Sequence, residues 1–235
     1  MEFFLLIAAA GAPASSGRNL AEMHKFLREL EASGRLRAAI GPLRPASESA
    51  RVRVRDGQAA VANGAAGGES LLGCFAIDVA DRAAALAVAE RCPVPAEEIV
   101  EVRAGRYLPG RAPSGAKRFL LLYLLERGAP VPDPERIKQG MAEMRAFTDA
   151  LAREGKYLGD GALPPQLPAA RVVTRSGRLE LVDGPFAESK EVLAGFAYVE
   201  AASREEAIAT AKRVPHAAWG EVLVREVAAP PAARE

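Results

Sequence analysis

The chain has 235 residues, 49% of them apolar, and its 31 basic side chains almost balance its 30 acidic ones. A net charge of +1 gives no field that would attract the protein to nucleic acid or to an anionic membrane surface. The two cysteines are too few for a disulfide framework, and no Cys/His cluster has zinc-ligand spacing. We therefore predict no nucleic-acid partner, no membrane partner, no metal and no cofactor.

The chain begins with an apolar run, Phe3–Ala10, that imitates the hydrophobic part of a signal peptide. The run is preceded by the acidic Glu2 and by no basic residue, and a similar run, Phe119–Tyr123, occurs in mid-chain. We therefore predict a first strand and a cytoplasmic protein. The predicted elements of this first half are strand Phe3–Ala8, helix Leu20–Ser33, hairpin Arg51–Val61, strand Cys74–Val79, helix Arg82–Arg91 and strand Ile99–Arg103.

The second half repeats this order. Asp133 and Pro134 predict a helix N-terminus, and Ser203 with Glu206 forms a capping box. The predicted elements are strand Arg118–Leu125, a helix from Pro134 that ends at Gly155, hairpin Arg171–Asp183, strand Gly195–Ala201, helix Arg204–Arg213 and strand Glu221–Val227. In the first of these helices the residues that recur at helical spacing are Ile137, Met141, Met144, Thr148 and Leu151.

The two halves are copies of one pattern, about 120 residues apart. Phe3–Ile7 returns as Phe119–Tyr123, and Ala21–Phe26 returns as Ala142–Phe147. This offset is a domain length, whereas solenoid repeats have periods of about 20–50 residues. The predicted divisions are a first domain at 1–103, a linker at 104–116, a second domain at 117–227 and a flexible tail at 228–235.

Each copy has the β-α-β-β-α-β order of a ferredoxin-like domain. Two helices cover only one face of such a sheet, and a bare apolar face costs about 25 cal/mol per Å² left in water. Packing the two sheets face to face removes this cost, and fusion keeps the copies at high effective concentration. We predict an α+β fold in which two tandem ferredoxin-like domains form an intrachain dimeric α+β barrel.

A motif in the second copy carries a family resemblance. Val182–Glu191 reads VDGPFAESKE, and Gly195-Phe196 follows it. This segment resembles the signature of the YCII-related family, in its DGPF branch. Further agreement comes from Phe119–Tyr123, Met144–Phe147 and Ala211–Pro215, so the resemblance covers almost all of the second copy. The first copy resembles the family weakly, through Gly41–Leu43 and Val52–Gly57. The resemblance implies ferredoxin-like domains that pair as dimeric α+β barrels. It implies no established biochemical role, but some members sit alongside extracytoplasmic-function sigma factors, so a functional link to such a factor is expected.

The motif predicts a loop with an unusual backbone. Pro185 fixes its own φ and restricts Gly184 before it. This geometry would point Asp183 away from the strand, and Phe186 would anchor the loop on the core. Two interpretations are open: a polar cleft in which Asp183 accepts a proton or binds a ligand, and an Asx-type turn whose carboxylate binds backbone N–H groups.

The charges that follow the loop favour a binding site. Glu188, Lys190 and Glu191 lie close to Asp183 in sequence, and a structural turn does not require these charges. We also predict that Arg53 from the first copy contributes to a composite site with Asp183. Two interpretations are open for Tyr123: its hydroxyl reaches the cleft, or it is a core tyrosine whose hydroxyl has a partner. The predicted function is the binding of a small polar molecule, in a regulatory role; the alternative is an enzyme that uses Asp183 as general acid or base. Further self-association of the pseudo-dimer is left open.

Overall fold

The computed structural model describes residues 1–10, 20–64, 69–128, 130, 132–165, 167, 169–175, 178–183 and 191–228. The elements of the first half are β1 (Glu2–Ala10), α1 (Leu20–Ala32), β2 (Leu36–Ile40), β3 (Ala50–Arg55), β4 (Gln58–Asn63), β5 (Glu69–Asp78), α2 (Arg82–Glu90) and β6 (Glu98–Ala104). Those of the second half are β7 (Arg106–Pro109), β8 (Lys117–Glu126), α3 (Pro134–Arg153), β9 (Tyr157–Ala162), β10 (Ala169–Arg175), β11 (Arg178–Asp183), β12 (Glu191–Ala201), α4 (Arg204–Lys212) and β13 (Glu221–Val227).

The strands form two antiparallel sheets, one built mainly from each copy. Sheet A has the order β11-β10-β6-β1-β5-β2, and sheet B has the order β4-β3-β13-β8-β12-β9-β7. The ferredoxin-like unit of the first copy consists of the strands β6-β1-β5-β2 with α1 and α2, and that of the second copy consists of β13-β8-β12-β9 with α3 and α4. The α+β fold class and the tandem duplication are therefore confirmed.

The two hairpins are exchanged between the copies. The β3–β4 hairpin of the first copy pairs with β13, where Val52 lies opposite Val222. The β10–β11 hairpin of the second copy pairs with β6, where Ala170 lies opposite Val102. The last strand of each ferredoxin-like unit would otherwise present an unpaired edge, and the hairpin of the other copy covers it.

The apolar side chains form three layers. One core lies between sheet A and the helices α1 and α2, and a second lies between sheet B and the helices α3 and α4. The third core lies between the sheets and joins residues of both copies. In it the rings of Phe4 and Phe196 meet edge to face, with their centroids 5.6 Å apart. The sheets thus pack face to face, and one chain forms the complete barrel that the sequence predicts.

Two buried arginines join the copies at the edges of this barrel. Arg103 on β6 donates hydrogen bonds to the carbonyl oxygens of Leu163 and Leu193, at 3.0 and 2.5 Å. Arg225 on β13 donates to the carbonyl oxygen of Arg44, at 2.6 Å. Each arginine belongs to one copy and binds backbone of the other. Since buried guanidinium groups need hydrogen-bond acceptors, these contacts tie the halves together.

The predicted helix caps are present. The carboxylate of Asp133 accepts a hydrogen bond from the Arg136 amide at 2.9 Å. The hydroxyl of Ser203 accepts from the Glu206 amide at 3.2 Å, and the Glu206 carboxylate accepts from the Ala202 amide at 2.6 Å. Both helices therefore begin where the sequence places their N-termini.

The apolar face predicted for α3 is only partly buried. Leu151 is buried, but Ile137 and Met141 are exposed. In the first turns of α3 the residue that faces inward is Gly140, which lies beside the ring of Trp219. The buried side of these turns is therefore that of Gly140, and Ile137 and Met141 lie on the exposed side.

The segments between the predicted elements hold three further strands. β2 and β9 follow the first helix of each copy and were not predicted. The predicted linker 104–116 contains β7, which pairs with β9. The linker is also held by the buried carboxylate of Glu200, which accepts hydrogen bonds from the amide and hydroxyl of Ser114 and from Arg111. The linker is thus an ordered part of sheet B.

Candidate functional site

The predicted loop starts at the edge of sheet A and returns at a central strand of sheet B. Asp183 is the last residue of β11, where it pairs with Ala170. Glu191 is the first residue of β12. The side chain of Asp183 and the loop residues Gly184, Pro185, Phe186, Glu188 and Lys190 lie outside the described residues.

A first-copy arginine anchors the end of this loop. Arg51 on β3 donates a hydrogen bond to the carboxylate of Glu191 at 2.5 Å, and the same guanidinium pairs with Glu221 on β13. The Nε atom of Arg53, two residues along the strand, lies 3.5 Å from the Glu221 carboxylate. The first copy therefore supplies two guanidinium groups at the base of the second-copy loop.

Three of the four charged side chains of this cluster, those of Arg51, Glu191 and Glu221, are mostly buried. The hydrogen bond with Glu221 raises the pKa of Arg51, so this guanidinium keeps its charge. Burial raises the pKa of Glu221, but the hydrogen bonds with Arg51 and Glu191 and the charges of Arg51 and Arg53 together lower it below its ordinary value. Burial raises the pKa of Glu191 even though Arg51 opposes the shift. The cluster thus places two guanidinium groups beside two carboxyl groups, one with a raised and one with a lowered pKa.

Arg53 is the member of the cluster with most access to solvent. Its side chain is 44% exposed, against 14% for Arg51. A planar guanidinium offers several donors in one plane, and these match the two oxygens of a carboxylate or phosphate. The arrangement can therefore bind an anionic group of a small molecule beside the loop.

The sequence model of the YCII-related domain family matches two regions of the chain, residues 1–105 and 120–229. The chain belongs to the YCII-related domain family. The two regions coincide with the two copies, so both halves carry the family pattern. The YCII-related chain is also 35% identical, over 92 residues, to protein R00369 of Rhizobium meliloti (strain 1021), which is described as uncharacterized; this match covers 36% of the present chain and 74% of the relative.

One solved structure resembles the YCII-related chain over nearly its whole length. It is the crystal structure of TA0507, a protein proposed to be a chlorite dismutase, and the match covers 97% of the present chain and 96% of TA0507. The TM-score is 0.36 and the identity is 8%. A likeness at this level carries no argument about activity.

The structure separates one predicted residue of this YCII-related chain from the others. Tyr123 faces the helices α3 and α4, in the same core as Val52. Arg51 and Arg53 alternate with Val52 along β3 and therefore face the other side of sheet B. Tyr123 and Arg53 thus lie on opposite faces of one sheet. Tyr123 contacts the ring of His216 instead, with a centroid distance of 5.4 Å.

Two residues of the cluster escaped the sequence analysis, Arg51 and Glu221, while Glu191 was counted only among the charges that follow the loop. Arg51 had a weak signal, because it alternates with Arg53 along the strand. Glu221 had none, because its proximity to Arg51 depends on the exchange of hairpins.

Within the described ranges no helix is both long and apolar enough to cross a bilayer. Among the same residues no group of three or more His, Cys, Asp or Glu side chains is arranged to hold a metal ion.

Proposed function

We propose that this YCII-related protein binds a small polar molecule between the DGPF loop of its second copy and the β3 arginines of its first copy. The observation that carries the proposal is the ion pair of Arg51 with Glu191, which joins the first copy to the residue that ends the loop. A loop whose base is fixed by the other copy loses less conformational entropy when a ligand binds.

The charges at the base of the loop indicate the chemistry of the ligand. The exposed guanidinium of Arg53 provides an anion contact, and Asp183, Glu188 and Lys190 would add both signs of charge from the loop. A small molecule that carries a carboxylate or phosphate together with a hydroxyl or amino group would satisfy both sides. The role is regulatory in this proposal, in a cytoplasmic protein with a functional link to an extracytoplasmic-function sigma factor.

The experiment is a thermal-shift screen against small carboxylates, phosphate esters and amino acids. At a ligand concentration about 100 times Kd, binding adds about 2.7 kcal/mol of stability, which raises the Tm of a chain of this size by roughly 5–10 °C. We expect this shift in the wild type and in Arg55→Gln, and a much smaller shift in Arg53→Gln and Asp183→Asn. Arg55 is the matched control because it is an exposed arginine on the same strand.

Two outcomes would contradict the proposal. Equal Tm shifts in Arg53→Gln and Arg55→Gln would show that Arg53 of the first copy does not contribute to the site. Equal Tm shifts in Asp183→Asn and the wild type would show that Asp183 does not contribute to the site. The alternative function, catalysis by Asp183 as general acid or base, predicts that the wild type consumes the bound compound while Asp183→Asn binds it without turnover.

A further inference from the structure

The duplication allows each position of the second copy to be compared with its counterpart in the first. In the β8–β12 pair Tyr123 lies opposite Gly195. In the corresponding β1–β5 pair Ile7 lies opposite Gly73. Tyr123 therefore occupies the place of Ile7, on the face of the sheet that the helices cover.

Two positions near Tyr123 also differ between the copies. Asp160 lies opposite Ala197 across β9 and β12, whereas Ala39 lies opposite Phe75 across β2 and β5. The second copy thus has an aspartate in place of Ala39 and a small alanine in place of Phe75.

A third position, that of Tyr157 on β9, has a hydroxyl group in the second copy and none in the first. Tyr157 pairs with Val199, and its counterpart Leu36 pairs with Ile77. Three apolar side chains of the first copy are therefore replaced by polar ones that cluster under α3.

The first copy shows that the fold needs no polar group at this place. Phe75 is buried there and packs on Phe26 of α1, with a centroid distance of 6.4 Å. In the second copy Phe147 of α3 replaces Phe26 and is likewise buried, but Ala197 opposite it carries only a methyl group. The same layer that is filled by aromatic rings in one copy is thus lined by hydroxyl and carboxyl groups in the other.

The polar groups of the second copy are only partly satisfied by each other. The Tyr157 hydroxyl lies 2.8 Å from the Asp160 carboxylate and 3.2 Å from the Leu108 carbonyl oxygen. The Tyr123 hydroxyl is buried and has no hydrogen-bond partner among the described residues. A buried hydroxyl without a partner costs free energy, so a side chain that only filled the space left by Phe75 would be phenylalanine rather than tyrosine.

The protonation states suit recognition of an uncharged ligand. Burial raises the pKa of Tyr123 well above its ordinary value, and the nearby Asp160 adds to the effect, so the phenol stays a donor. Burial also raises the pKa of Asp160, although the Tyr157 hydroxyl and the charge of Arg106 oppose this. A ligand carboxylate would meet the unfavourable field of Asp160, whereas a neutral group with one acceptor and one donor would not.

We propose that the layer between α3 and sheet B is a second binding site, in which the Tyr123 hydroxyl donates to a carbonyl oxygen and Asp160 accepts from an N–H or O–H of the same small uncharged molecule. Ala197 and Phe147 provide apolar contact for its body. An amide or lactam with a small apolar ring has this chemistry. The site lies on the opposite face of sheet B from Arg53, so it is independent of the function proposed above.

The test is an NMR titration of the full chain with benzamide, with benzoate as the anionic counterpart. We expect benzamide to shift the amide signals of Gly195 and Ala162 in the wild type, and benzoate to leave them unchanged. Tyr123→Phe should weaken benzamide binding about tenfold, the usual worth of a good buried hydrogen bond. Ala197→Phe, which restores the first-copy filling, should abolish it.

The controls separate a ligand site from a structural role. Tyr198→Phe removes a hydroxyl on the opposite face, 3.3 Å from Arg118, and should leave benzamide binding unchanged, as should Arg53→Gln. Tyr123→Phe should keep or raise the Tm, because the removed hydroxyl has no partner in the described structure. The proposal is overturned if benzamide does not bind, if Tyr123→Phe binds it as well as the wild type, or if Tyr123→Phe lowers the Tm. Should Ala197→Phe fail to fold, the Tyr123→Phe result alone decides.

Discussion

Replacement of Phe4 by alanine should destabilise both halves of the molecule together. The Phe4 ring is fully buried between the sheets and meets Phe196 of the other copy edge to face. Truncation of a buried phenylalanine costs about 3–5 kcal/mol. With an m-value of about 2 kcal/mol/M in urea, the midpoint of unfolding should fall by roughly 2 M. Urea titrations followed by circular dichroism measure this change.

The double mutant isolates the contact between the copies. An edge-to-face aromatic pair contributes about 0.5–1.5 kcal/mol beyond its buried area. The combined cost of Phe4→Ala and Phe196→Ala should differ from the sum of the single costs by this amount. Phe26→Ala is the matched control, because Phe26 is also a buried phenylalanine but lies between α1 and sheet A. Its effect should add to that of Phe196→Ala within about 0.5 kcal/mol.

Two separate unfolding transitions, with Phe4→Ala moving only one of them, would refute this reasoning. The same holds if Phe4 couples to Phe196 no more strongly than Phe26 does. Either result would mean that the layer between the sheets does not hold the copies together.

Three further predictions concern the second copy. The hydrogen bond from Arg213 lowers the pKa of Glu154 to about 2. The Glu154 carboxylate therefore stabilises the fold above the ordinary carboxyl pKa, and this stabilisation is lost as the pH falls towards 2. Glu154→Gln should remove about 0.5 kcal/mol of this acid dependence in unfolding measured from pH 6 to 2. Ser203→Ala should cost about 1 kcal/mol through loss of the α4 cap, while Ser203→Asp should restore it in the same urea assay. Glu200→Ala leaves the donors of Ser114 and Arg111 without their acceptor, so it should cost about 2 kcal/mol and speed trypsin cleavage after Arg111; unchanged cleavage would contradict the ordered linker.

The fold could be predicted from the sequence because its main signals are local. The apolar runs of β1 and β8, the capping residues of α3 and α4, and the repetition of both patterns identify the elements and the duplication. β9 escaped prediction because Gly159 and Gly161 interrupt its pattern; Gly159 adopts a φ of 150°. A side chain at Gly161 would collide with the rings of Phe196 and Phe4, so the close packing of the barrel requires the glycine that hides the strand.

The candidate site was less predictable because its contacts are distant in sequence. Arg51 is separated by 140 residues from Glu191 and by 170 from Glu221. No periodicity indicates that a hairpin of one copy will pair with the last strand of the other, since that choice depends on which sheet edge is left open. The sequence therefore identified Arg53 and the loop, but not the ion pairs at its base.

The exchange of hairpins explains why the copies could diverge and still need each other. Without the first copy, the outer edge of β13 loses its pairing with β3, the loop loses the Arg51 anchor, and the Arg225 guanidinium loses its carbonyl acceptor. Without the second copy, β6 loses the hairpin that covers its edge. In a dimer of identical chains a substitution would change both sites at once. In the fused chain the first copy can fill its helix-side layer with Phe75 and lose the loop motif. It still supplies strand β3, the arginines Arg51 and Arg53, and the packing surface between the sheets, on which the second copy depends.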